Sequence, residues 1–191
     1  MIDARTSPLV VDLTNYYNNK GVSWASLEIW ASLEHSGLSL PGECLPNDEI
    51  IKCVQVPFYF PKTNMVDHDH MICEGQTITL DKVDQEYSYL YFLGFSTWGD
   101  YKEIVTLIYD DFEEKSMIGL SFMNRLHWDE KLVFLEEEIG ITIPNCIDGN
   151  HNPLMISTGI WVNKISLSRH KLRKIKLSDN PYMHIFAMTL I

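Results

Sequence analysis

Residues 65–80 read MVDHDHMICEGQTITL and set an acid–histidine–acid–histidine run, Asp67-His68-Asp69-His70, directly before a strand-like stretch. In extended backbone, alternation places His68 and His70 on one face and Asp67 and Asp69 on the other. Two imidazoles spaced i, i+2 reach a single ion, so His68 and His70 are candidate metal ligands. A complete site needs a third donor, from His127, His151 or an acid. A divalent metal is therefore the one cofactor the pattern would support, and no other is expected. The plainer expectation, and the preferred one, is an exposed polar lead-in to Met71-Ile72.

Three further groups carry chemistry. His127 stands beside Trp128, Asp129 and Glu130, a setting in which an imidazole can act as a general base. His151 follows Asp148-Gly149-Asn150, a turn by composition, which puts it at a loop tip. Trp98 in STWGDY lies between Gly94 and Gly99, with Asp100 and Tyr101 following. Tryptophan stacks on the apolar C–H face of a pyranose. Trp98 is thus the leading ligand contact, with Trp24 and Trp128 as additional platforms and Asp100 and Asn124 or Arg125 fixing orientation. The structural alternative is a Trp98 that plugs one end of the fold. His127, His151 and Asp100 are the candidates for proton transfer, and His184, on an apolar strand face, is expected to be a satisfied core histidine.

No nucleophile elbow, P-loop, dinucleotide fingerprint or HExxH motif is present. A glycosidase needs two carboxylates roughly 5–10 Å apart across a cleft, and no spacing among Asp100, Asp110, Asp111, Glu136, Glu137 and Glu138 singles out such a pair.

The elements that must position these residues are mostly strands. Residues 50–60 (IIKCVQVPFYF) are β-branched and aromatic up to Pro61. QTITL alternates, and YSYLYFLGFS is apolar on both faces, as in a strand covered from both sides. EIVTLIYDD and KSMIGLSF flank an acidic turn as a hairpin. In MHIFAMTLI, alternation puts His184, Phe186, Met188 and Leu190 on one face and Met183, Ile185, Ala187 and Thr189 on the other. Helical spacing occurs in residues 23–37, through Trp24, Leu27, Trp30 and Leu33 or Glu34 with Gly37 as a stop, and an irregular ligand-facing loop would equally use these tryptophans. Residues 129–140 fit either a helix or a strand with a charged flank. Short strands at regular spacing with turns between them predict an all-β antiparallel sandwich or jelly roll with one or two short helices, and residues 1–191 are expected to form one domain.

Composition agrees: 46% hydrophobic and 12% aromatic residues in 191 supply a core without staples. The net charge of −11 argues against nucleic acid and anionic membranes as partners. Six Lys or Arg against one acid in residues 161–191 make a basic strand on an acidic body, expected to be a solvated face with a lysine-protected edge. Cys44, Cys53, Cys73 and Cys146 form no CxxC pair and are expected to be buried free thiols. With no signal sequence or long apolar run, a cytoplasmic location is expected.

Several segments in order carry a resemblance: VDLTNYYNNKGVSW, VPFYFP followed by ICEGQTITL, YLYFLGFSTWGDY, and ISL with KIKLSDNPYMHIFAMTL. Together they resemble the galactose-binding-like jelly-roll domains appended to bacterial glycoside hydrolases such as α-mannosidases and α-fucosidases, which also occur as stand-alone proteins. The resemblance implies a β-sandwich with carbohydrate binding or structural support as its role. Val66 to His70 and SFMNRLHW depart from the pattern, so no site residue carries over there. Asp179-Asn180-Pro181 reads as a turn before a core strand. The expectation is a non-catalytic module that binds a carbohydrate or related polyhydroxylated small molecule or scaffolds a partner enzyme. The alternative is a small lyase, cyclase or hydrolase using histidine and carboxylate groups, and homodimerisation through sheet edges is a further option.

Overall fold

Val, Ile, Thr and the aromatics crowd the pleat of extended backbone and pack well from it, and they set the architecture. A computed structural model describes residues 7–33, 37–80 and 83–191. Helix among the described residues is limited to 3-10 turns of three or four residues, and no described helix is long and apolar enough to cross a membrane. The larger sheet has six antiparallel strands. Asp179–Leu190 and Tyr89–Ser96 lie at its centre, with Thr158–Ser166 and then Glu138–Ile143 on one side and Leu9–Val10 and Met71–Glu74 on the other. The smaller sheet runs Glu113–Leu120, Tyr101–Tyr109, Leu172–Lys176, Thr77–Thr79.

Two apolar clusters hold these layers. Between the sheets lie Leu90, Phe92, Met183, Ile185 and Met188 against Val105, Leu107, Ile118 and Ile175. The opposite face of the larger sheet, with Leu93, Phe95, Trp161 and Phe186, is covered by Val22, Leu33, Leu40, Phe58 and Phe60 from the N-terminal third. Tyr89–Ser96 is therefore buried from both sides, as its composition predicts.

Several expectations change in detail. Residues 50–60 are a hairpin, Glu49–Cys53 against Val56–Phe60, turning at Val54 and Gln55, both with positive φ. The helical part of residues 23–33 is only the 3-10 turn Ala25–Leu27, and residues 34–36 of that expected helix lie outside the described residues. From the 129–140 segment only Glu138 onward joins a strand. Asp179-Asn180-Pro181 is the irregular start of the long C-terminal strand, with a register shift between Asn180 and His184, rather than a separate turn. A second shift between Ile185 and Ala187 breaks the alternation there. Met183, Ile185, Met188 and Leu190 face the inter-sheet core, whereas Phe186 and Ala187 face the other cluster. The basic Leu172–Lys176 strand is internal to the smaller sheet, so its lysines protect no edge, although Lys174 and Lys176 are solvated. All four cysteines are free, but Cys44 is exposed.

Candidate functional site

The turn after Tyr89–Ser96 builds one wall of a cleft. Trp98 sits there with φ of 62° and is 69% exposed. A bulky side chain seldom adopts the left-handed region and pays for it in strain, an outlier of the kind that collects at functional sites. The opposite wall is residues 122–124, tied to the turn by Ser96 N–H donating to Ser121 O at 3.0 Å and Met123 N–H donating to Ser96 O at 2.9 Å. Leu38, Thr97, Trp98, Phe122, Met123 and Asn124 enclose about 220 Å³. That is below the span of drug-sized pockets and suits a single ring with substituents. Inside this largely apolar cleft, Asn124 is only 9% exposed, and its Oδ1 is buried with no hydrogen-bond partner. Buried acceptors are nearly always satisfied, so an orphan beside a cleft marks where a donor belongs.

Asp100 and Arg125 are committed to each other. Arg125 Nε donates to Asp100 Oδ1 at 2.8 Å, a second bond joins Arg125 Nη2 to Asp100 Oδ2, and Phe122 N–H also donates to Asp100. The guanidinium holds the Asp100 carboxyl below the usual carboxylate range, despite some opposing desolvation. The pair braces the rim of the cleft, its charges largely spent on each other. Behind it Glu137 is buried and accepts from Ser121 N–H and Oγ–H. Burial pushes its carboxyl up to about 7, against those hydrogen bonds and helped by the charge of Asp100.

The remaining candidates do not gather here. His127 and Trp128 are exposed in the 3-10 turn Arg125–Trp128, packed edge to face. His151 stacks on Trp30 at 3.8 Å. Trp24 leans on the core formed with the N-terminal third and donates through Nε1 to Thr63 Oγ1.

The acid–histidine run divides differently from its predicted alternation. Asp67 and His68 are exposed, and His68 Nδ1 lies 3.3 Å from Tyr17 O. Asp69 and His70 are both fully buried, so neither a shared histidine face nor a wholly exposed lead-in describes the segment. Among the described residues, no three His, Cys, Asp or Glu side chains are grouped to hold a metal ion. Asp69 instead accepts from Lys20 Nζ at 2.7 Å, Gly21 N–H at 2.9 Å and Val22 N–H at 3.1 Å. Its Oδ1 lies 2.9 Å from His70 Nδ1. His70 Nε2 meets His184 Nδ1 at 2.9 Å, and His184 Nε2 is 3.3 Å from Thr97 Oγ1. Phe186 stacks on His70 and Phe95 on His184, each with ring centroids 5.0 Å apart, which fixes both planes. Burial pushes the Asp69 carboxyl up, but the bonds and charges of His70 and Lys20 outweigh it and hold it low.

Of the candidates named from the sequence, Trp98 and Asn124 line this cleft; Leu38, Phe122 and Met123 were not singled out, because their apolar types do not distinguish a cleft from a core. Sequence reasoning also missed the link from Asp69 to Thr97. A histidine inside an uninterrupted apolar strand was the available signal, because a buried imidazole requires partners.

The family model of the AziU2-like beta-sandwich domain matches residues 6–191. The chain belongs to this family. No curated protein matches the AziU2-like chain.

Proposed function

We propose that this AziU2-like domain is a binding module for a small ring-bearing, polyhydroxylated molecule, a carbohydrate foremost, seated in the cleft beside Trp98. The observation that carries the reading is an apolar cleft rimmed by an exposed tryptophan, with the unpartnered Asn124 Oδ1 buried in its wall. A hydroxyl of the ligand satisfies the amide oxygen while its C–H face stacks on the indole. The resemblance of several segments to galactose-binding-like domains of glycoside hydrolases supports a sugar as the ligand. Four free thiols support a reducing, cytoplasmic setting.

A glycan array probed with the full chain tests the reading. Sugars retained by the wild type are expected to bind about tenfold to a hundredfold more weakly to Trp98→Ala. Asn124→Leu, which removes the acceptor at similar volume, is expected to lose a comparable amount. Silence across the array overturns the carbohydrate assignment.

A further inference from the structure

The larger sheet is covered on both sides, whereas the smaller sheet packs inward through Val105, Leu107, Ile118 and Ile175 and leaves its outward residues in solvent. Alternation turns Lys102, Ile104, Thr106 and Ile108 outward along Tyr101–Tyr109. The register sets Met117 beside Ile104 and Lys115 beside Thr106 on one flank. On the other flank it sets Lys176 beside Thr106 and Lys174 beside Ile108. An apolar line from Ile104 and Met117 to Ile108 therefore runs between lysines of both neighbouring strands. Ile104 is 45% and Met117 49% exposed, and Lys102, Lys115, Lys174 and Lys176 are all exposed. None of these four lysines has an ion-pair partner among the described residues. Lysines commonly guard sheet edges, but Lys102, Lys174 and Lys176 stand on the two interior strands of this sheet, where no edge needs guarding. On a chain of net charge −11, a face with these lysines opposed only by Glu113 is a local reversal of sign.

We propose that this face docks an acidic amphipathic helix of a partner protein, laid along Tyr101–Tyr109. Its apolar stripe covers Ile104, Ile108 and Met117, and carboxylates on its two flanks reach Lys115 on one side and Lys174 and Lys176 on the other. A helix on a sheet is a layer pairing that buries one apolar stripe, and an apolar centre with a charged surround is the composition of a docking interface. Charge complementarity selects an acidic partner and also limits its extent. At the hairpin end of the same sheet stand Asp110, Asp111 and Glu113, of which Asp110 is paired with Arg173. A nucleic-acid duplex or an anionic bilayer reaches past the lysines and meets Asp111 and Glu113, whereas a helix of a few turns ends before them. The outward residues of the face include no aromatic ring on which a nucleic-acid base could stack. The proposal is independent of the Trp98 cleft, which opens elsewhere, beside residues 122–124.

The test titrates the full chain against a fluorescent helical peptide of about 18 residues, with leucines at i, i+3, i+4 and i+7 and glutamates on both flanks, and reads anisotropy. The peptide is expected to bind, and to bind more weakly as salt is raised. Lys115→Glu with Lys176→Glu is expected to weaken binding about tenfold or more, and Ile104→Ser with Met117→Ser about tenfold. Lys52→Glu with Lys62→Glu makes the same change in net charge on exposed residues outside the smaller sheet, and it is expected to leave binding within about twofold. All six positions are exposed, so the variants are expected to melt at the wild-type temperature. Equal losses from the two lysine pairs reduce the effect to general attraction and overturn the proposal, as does binding that ignores Ile104 and Met117. A peptide that stays free overturns it as well, and vesicles of anionic phosphatidylserine that bind in its place through Lys115 and Lys176 assign the face to a membrane surface.

Discussion

Asp69 is the residue on which the interior polar network converges, since it is fully buried and receives Lys20, two backbone N–H groups and His70. Asp69→Ala takes the carboxylate from the half-buried Lys20, from His70 and from two buried amides, and it is expected to cost about 3–5 kcal/mol in urea unfolding. Glu137 has the opposite character. Its carboxyl is raised to about 7 from an ordinary 4.5 chiefly by burial, so the folded chain holds its proton longer than the unfolded chain does. Its contribution is fully present below about 4.5 and is lost as the pH rises through about 7. At 1.36 kcal/mol per pH unit this amounts to about 3 kcal/mol. Glu137→Gln is expected to flatten stability between those pH values, and an unchanged slope would assign the loss to another group. Neither role was legible in the sequence. Asp69 looked like the twin of Asp67, and Glu137 like one more member of an acidic run, because neighbouring residues of equal polarity are separated only by which one the fold turns inward.

At the scale of elements, alternation and β-branched runs gave the strands, and the hairpin around Asp110-Asp111 came through intact with Glu113 opposite Ile108. What the pattern could not carry were places where one strand departs from its period. The shift between Ile185 and Ala187 re-aims part of the last strand. Residues 54 and 55 make a two-residue turn without the glycine that such a turn prefers. Gln55 is exposed with φ of 67°, so Gln55→Gly is expected to stabilise the protein by about 1 kcal/mol in thermal or urea melts. A loss would mean that the side chain has a role beyond its backbone. Gly21 answers to a different constraint. A Cβ there would lie 2.5 Å from His70 Cε1 and 2.6 Å from Leu33 Cδ2. Because the His70 ring is held at both nitrogens, it cannot yield. Gly21→Ala is expected to cost about 2 kcal/mol or more and to disturb the His70 ring resonances in NMR spectra.

Across the whole molecule, the larger sheet is sandwiched between the smaller sheet and the N-terminal third, and Tyr89–Ser96 and Asp179–Leu190 lie at its centre. Amides of these two strands are expected to exchange slowest with deuterated water, and those of residues 130–137 among the fastest. Equal protection throughout would count against the layering. The Asp179–Leu190 strand also supplies side chains to both apolar clusters. On the ribosome, neither cluster can close until that stretch has cleared the exit tunnel. The emerging chain then keeps apolar surfaces unsealed for most of its synthesis. A chain stopped upstream of residue 179 is expected to leave no fragment that melts cooperatively.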